Sequence, residues 1–307
     1  MQRDSAGLTQ TARESAWLAQ PERSHERAIR TYAWIALKLG RRVARLLLHP
    51  ISLYFVLFSP AARDASRRYL ARVLGRKPRW TAIYRHYHTF AATILDRVYF
   101  LNGEYSKFDV RTPDGGVVRE IMASANGALL IGAHIGSFEV IRAMGRGTRG
   151  LTVRMVMFED NAKKLNGVLH AINPSLAQDV IALGKVDSML KVERALTRGE
   201  FVGMLADRTI RGEGMLDVSF LGAPARIPIG PFRIAAIMKR PVFLMFGVYL
   251  GGKRYDVHFE RLIDMRSITR QTRDAMIEVA VRRYVARLEH YCRVAPYNWF
   301  NFYDYWH

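Results

Sequence analysis

The sequence predicts an α/β fold, a mixed and mostly parallel sheet flanked by helices, preceded by a helical, basic and amphipathic N-terminal unit. Three observations carry this. Beyond residue 103, short apolar runs of strand length alternate with longer runs of helical spacing. The strand-like runs "ALLIGA" and "FVGMLA" are almost wholly apolar, as in strands covered on both faces. Residues 26–101 keep helical spacing throughout.

The first 25 residues are polar, lack the apolar stretch of a secretory signal, and read as a flexible arm. A helical unit follows over 26–103. Its segment "TYAWIALKLGRRVARLLL" is amphipathic and basic, with Lys38, Arg41, Arg42 and Arg45 close together. The adjoining run "LLLHPISLYFVLF" has thirteen residues, broken by His49 and Pro50. As a helix it would cover about 20 Å, against a hydrocarbon core of about 30 Å. These features suit a segment lying in the membrane interface; a core helix pair with a basic outer face is the alternative. "ARDASRRYLARVLG" is a helix stopped by Gly75, and helical spacing resumes from Arg79 to Gly103. His86 and His88 in that helix point about 200° apart and do not share a metal ion by themselves.

The region 104–307 reads as one α/β domain. "KFDVRTP" is a short strand, "GGVVREIMASANG" a helix, "ALLIGAH" a buried strand and "SFEVIRAMGR" a helix. Then come the strand "LTVRMVMF", the helix "NAKKLNGVLHAINP", the strand "DVIALG", the helix "DSMLKVERALTRGE" and the strand "FVGMLAD". After a loop, "PIGPFRIAAIMKR" is a helix, "PVFLMFGVYL" and "RYDVHFERL" are strands, and a long helix begins at Thr272.

Lys plus Arg number 47 and Asp plus Glu 27 in 307 residues, a formal charge of +20. Such an excess favours an acidic partner: nucleic acid, an anionic membrane, an acidic protein or a phosphorylated substrate. No zinc-finger spacing, RNA-binding signature or basic-aromatic strand face accompanies it, so no nucleic acid is expected. Cys292 is the single cysteine, which excludes an intrachain disulfide and a cysteine-based metal cluster and points to a reducing compartment.

Ligands of such sheets collect beyond the carboxyl ends of the strands. His134 falls there, in "GAHIGSFEV". Gly136 allows a tight turn, Ser137 suits the cap of the following helix, and Glu139 falls in its first turn. On one continuous helix His134 and Glu139 would lie about 140° apart, so they meet only if His134 sits on the loop before the helix. There Glu139 would fix the imidazole tautomer, and the other ring nitrogen would take a proton from a hydroxyl or amine. A satisfied structural histidine is the alternative. "IGSFE" is not the G-x-S-x-G elbow, so Ser137 is not expected as a nucleophile.

"GAHIGSFE" resembles the His-x4-Glu block of the late acyltransferases of lipid A biosynthesis, within the lysophospholipid acyltransferase superfamily. Here Ser137 and Phe138 stand where those proteins usually carry Asn and Trp. Further similar blocks follow in order: "ALTRGEFVGMLADR", "VSFLGAPARIPIGPFRIAAIMKRPVFLMF", "RYDVHFERL" and "EHYCRVAPYNWFNFYDYWH". The resemblance covers about residues 30–307. It implies acyl transfer from an acyl thioester, on acyl carrier protein or coenzyme A, to a glycolipid or lipid-like acceptor at the cytoplasmic face of the inner membrane. His134 would be the general base and Glu139 its orienting partner, with no cofactor and no metal.

Backbone N–H groups near Gly136 and Ser137 are then candidates for holding the oxyanion. Asp207 and Arg208 end a second strand on the same rim; Arg208 either contacts a phosphate or carboxylate or pairs with Asp207. Arg154 either contacts substrate or pairs structurally. Phe220 and Gly222, with Pro224 and Ala225, form a turn expected to shape the pocket wall. The tail "YNWFNFYDYWH" packs under the domain or sits at headgroup level. It lacks the basic residues usual before the last Trp, which leaves open an acceptor from a polyene-pigment or other lipid-like pathway. A basic nucleic-acid-binding protein is the remote alternative. A catalytically silent scaffold is disfavoured by the presence of both His134 and Glu139.

Overall fold

A strand buried on both faces must find neighbours on both edges, and the run Leu129–Gly132 does so. In the computed structural model, which describes residues 26–123, 127–147, 152–158, 180–184, 187–208 and 214–306, this run is β2, fully buried and central in a seven-stranded sheet. Before it come helices α1 (Glu26–Phe58), α2 (Pro60–Leu74) and α3 (Trp80–Leu101), the short strand β1 (Asp109–Arg111) and helix α4 (Gly115–Ala123). After it come α5 (Phe138–Gly147), β3 (Val153–Phe158), β4 (Val180–Leu183), α6 (Ser188–Thr197) and β5 (Phe201–Leu205). The chain then forms β6 (Met215–Phe220), β7 (Ala223–Pro228), α7 (Gly230–Met238), β8 (Pro241–Gly251), β9 (Arg254–Asp264) and α8 (Arg273–Val294).

The sheet order is β1-β9-β8-β2-β5-β3-β4. Strands β8, β2, β5, β3 and β4 are parallel, while β9 runs antiparallel to β8 and carries β1 beside it. The predicted mixed, mostly parallel sheet is therefore present. Side chains of β2 alternate between faces: Leu129 and Ile131 join one core cluster with α6, α7 and α8, and Leu130 joins another with α3, α4 and α5. That two-sided burial explains why the strands read as continuous apolar runs.

The stretch expected as a loop after Arg208 contains an additional hairpin, β6–β7, outside the main sheet. It turns at Leu221 and Gly222, both at positive φ, as a two-residue turn requires. Pro224 and Pro228 hide this element from strand patterning. The expected arm 1–25 and the expected helix "NAKKLNGVLHAINP" lie outside the described residues.

Helix α1 bends at Gly40, which has non-helical backbone angles. Ala36, Ala44, Leu48, Ser52 and Val56 form its buried stripe, four or eight residues apart. The opposite face is also apolar: Trp34, Leu39, Leu46, Tyr54, Leu57 and Phe58 are exposed. Among the described residues no single helix is long and apolar enough to cross a membrane. Residues Ala36–Phe58 and Pro60–Leu74 meet that requirement only together, bent by 96°. Arg41 turns inward onto buried Asp96, which also accepts a hydrogen bond from Tyr255, and Arg45 donates to the Tyr249 hydroxyl.

Candidate active site

The register of the sheet builds the site. Gly132 of β2 pairs with Leu205 of β5. Two residues further on, past the carboxyl ends of both strands, His134 and Asp207 come level. The His134 Nδ1–H donates to Asp207 Oδ1 at 2.8 Å, and the His134 backbone N–H donates to Oδ2 at 3.1 Å. Trp299 Nε1–H supplies a third bond to Oδ2 at 2.9 Å. The Asp207 side chain is 1% exposed, whereas His134 retains 32%.

The loop from β2 to α5 is pinned by two strangers in sequence. Gly136 has φ 59°, and a Cβ there would lie 1.9 Å from the Gly247 carbonyl oxygen of β8. Only glycine permits this approach. The Gly136 N–H donates to the Asn298 carbonyl and the Ser137 N–H to the Gly247 carbonyl. The two amides expected to face an oxyanion are thus engaged in holding the loop.

The carboxylate hydrogen-bonded to His134 Nδ1 is Asp207, where the His-x4-Glu spacing predicted Glu139. Glu139, buried in the first turn of α5, accepts from Arg97 Nη2 at 3.1 Å and from Arg142 Nη1 at 3.1 Å. Arg97, on α3, acts electrostatically on His134 and was not singled out in the sequence; nothing in its local pattern distinguishes it from other helix-surface arginines.

The electrostatics favour a neutral imidazole. Burial lowers the His134 pKa below its ordinary value, Arg208 and Arg97 lower it further, and Asp207 opposes them. Burial works to raise the Asp207 pKa, but His134, Arg208 and the Trp299 N–H outweigh it and hold this carboxyl well below the usual range. Arg208 Nη2 donates to the Phe300 carbonyl. The Nε groups of Arg97 and Arg208 are buried without a partner among the described residues.

A loop histidine at the end of a parallel strand, tautomer fixed by a buried carboxylate and two arginines nearby, is equipped to accept a proton beside developing negative charge. The family model for bacterial lipid A biosynthesis acyltransferase matches residues 21–307. The chain belongs to this family. No curated protein shows significant similarity to the chain. Membership agrees with the resemblance drawn from the ordered sequence blocks, and it makes the protein an acyltransferase family member of the lipid A pathway.

The remaining expected residues of this lipid A acyltransferase family member fall in three places. Arg154 forks onto Glu200 at 2.8 and 3.2 Å, level with Val202 and Leu129 near the start of the parallel strands. That is the opposite end of the sheet from His134. Phe220 is fully buried against Trp299, Tyr305 and Trp306, and Gly222 is exposed at the hairpin turn. Neither adjoins the dyad through a hydrogen bond, and Phe220 packs against the aromatic tail. Two surface clefts, one at Leu196 and Met238 and one at Val218 and Val285, are not lined by His134 or Asp207. The aromatic tail packs on the domain: Trp299 and Phe300 are buried, and Phe302, Tyr305 and Trp306 lie against the core. His86 has both ring nitrogens engaged, by Ser66 and by the Trp299 carbonyl.

Proposed function

We propose that His134 is the general base for transfer of a fatty acyl group from a thioester, on acyl carrier protein or coenzyme A, to a hydroxyl or amine of a lipid A precursor. Asp207 orients the base. With Nδ1–H committed to Asp207, the free Nε2 takes the acceptor's proton as its oxygen or nitrogen attacks the thioester carbonyl carbon. The C–S bond then breaks, and the proton passes from His134 to the departing sulfur. The charge on the tetrahedral oxygen finds Arg97 and Arg208, which take over the role expected of the Gly136 and Ser137 amides. Arg208 is also the candidate contact for an acceptor phosphate or carboxylate. Glu139 acts through Arg97, keeping that cation ordered.

The single observation behind this reading is the 2.8 Å His134–Asp207 bond at the carboxyl rim of adjacent parallel strands. The reaction is proposed to take place at the cytoplasmic face of the inner membrane. The outward apolar face of α1, with exposed Lys38 and Arg42 beside it, supports attachment to an anionic surface there. The unusual tail sequence packs against the body, so it carries no argument for a different acceptor. Acyl transfer from a carrier-protein thioester to a lipid A precursor, measured with His134→Ala, tests the assignment. Activity falls to background if His134 is the base; a purified variant that keeps most of it removes the proposal.

A further inference from the structure

The segment Asn298–Phe300, after the closing helix, reaches across to the reactive loop and joins it like an added strand. Ile135 and Trp299 form an antiparallel bridge. On either side, the Phe300 N–H donates to the His134 carbonyl at 2.8 Å and the Gly136 N–H to the Asn298 carbonyl at 2.9 Å. Asn298 is itself locked by its side-chain amide, which accepts from the Tyr249 N–H and donates to the Tyr249 carbonyl. His86 Nε2–H donates to the Trp299 carbonyl. The indole is 1% exposed and meets Tyr69, Phe220 and Tyr305 edge to face, so its plane is set by packing.

We propose that Trp299 is a positioning residue for acyl transfer: its indole N–H, delivered by Asn298–Phe300, holds the Asp207 carboxylate in the orientation that receives the His134 Nδ1–H. The proposal rests on His134 being the base. Oδ1 of Asp207 faces the ring, while Oδ2 takes both the Trp299 N–H and the His134 backbone N–H. Removing the indole donor leaves Oδ2 with one bond, frees the carboxylate to rotate, and concentrates its charge toward the imidazole. The base then sits in productive geometry for less of the time and binds its proton more tightly. Charged groups acting on the imidazole are Asp207 and Arg208 from the loop after β5 and Arg97 from α3. Trp306 supplies the comparison, since its Nε1–H donates to the Phe220 carbonyl and touches nothing in the dyad.

The test compares Trp299→Phe, Trp306→Phe and His134→Ala in transfer from an acyl-carrier-protein thioester to a lipid A precursor, with rates followed across pH. A second form carries benzothienylalanine at 299, which keeps the ring shape and lacks only the N–H. Loss of a hydrogen bond to a charged group predicts kcat about tenfold lower in both 299 variants. KM stays within about twofold, and the acid limb of kcat/KM moves to higher pH. Trp306→Phe moves neither. If the benzothienylalanine form matches wild type in kcat and acid limb, or if Trp306→Phe is impaired equally, the positioning role is overturned while the base assignment stands. If His134→Ala remains active, the base assignment falls instead.

Discussion

Replacing Asp207 by Asn separates the dyad read from the structure from the pair read from spacing. Asp207 accepts three hydrogen bonds, from the His134 ring, the His134 backbone and the Trp299 indole. An amide has one oxygen and one NH2 in their place. If the NH2 faces the ring, it donates to Nδ1 and forces the proton onto Nε2, the nitrogen that must accept one. If it faces the other way, it meets two N–H donors. Either arrangement loses at least one charge-assisted bond of about 1.5–3 kcal/mol, or roughly a 10- to 150-fold fall in kcat. The Asp207 charge also raises the His134 pKa against burial and the two arginines. Without it the acid limb of kcat/KM moves to lower pH even as the plateau falls. Steady-state acyl transfer with Asp207→Asn, beside Glu139→Gln, measures both effects. Wild-type kcat and an unshifted limb in Asp207→Asn, with the loss appearing in Glu139→Gln alone, would refute the dyad and restore the local pair.

Two further outcomes follow from the packing. Burial lowers the His86 pKa from 6.5 to about 4, although its bond to the Trp299 carbonyl resists the shift. The unfolded chain therefore binds more protons between those values, and stability falls as pH drops through this window, by up to about 3 kcal/mol. His86→Gln, whose amide serves both Ser66 and the Trp299 carbonyl, flattens that part of the pH dependence in urea unfolding; an identical slope in both proteins contradicts the assignment. On α1, Leu46 and Leu53 are 68% and 42% exposed. Leu46→Ser with Leu53→Ser leaves the thermal midpoint unchanged and weakens partition into anionic vesicles about a hundredfold, from about 1.5 kcal/mol or more per leucine. Undiminished vesicle binding would show that this face does not enter the interface.

Local chemistry made much of this legible. Apolar runs of strand length marked the parallel strands because the central ones, β2 and β5, are buried on both faces, and the position of His134 and Asp207 at strand ends put both on one rim. What the sequence could not reveal is which strands are neighbours. His134 and Glu139 are five residues apart, so spacing proposed them as a pair. The register of β2 against β5 brings in Asp207 from 73 residues away. Likewise, the Gly136 amide reads as free at a helix start until the chain returns at Asn298 to accept its hydrogen. Arg154 lies in the right strand for a contact but at the wrong end, a distinction that only pairing with Val202 makes. Trp299 stood in a block whose resemblance was already visible; that its N–H meets a carboxylate was not.

Helix α3 connects the parts that the sequence presents as separate. Its adjacent residues Asp96 and Arg97 face different tasks. Asp96 is buried and clamps Arg41 of α1 through two bonds, while Arg97 reaches Glu139 at the start of α5. Nearly three turns earlier, at about 3.6 residues per turn, His86 holds the Trp299 carbonyl in the segment that carries the indole to Asp207. The outward apolar face of α1 and the rim that carries His134 are thereby referred to one helix. A partner-less Asp96 would leave an uncompensated buried charge, so Arg41 cannot detach from it cheaply. If α1 lies in the interface, the height of His134 above the bilayer is set by these three contacts rather than by a linker. An acceptor anchored by its own chains would then meet the base at a defined depth.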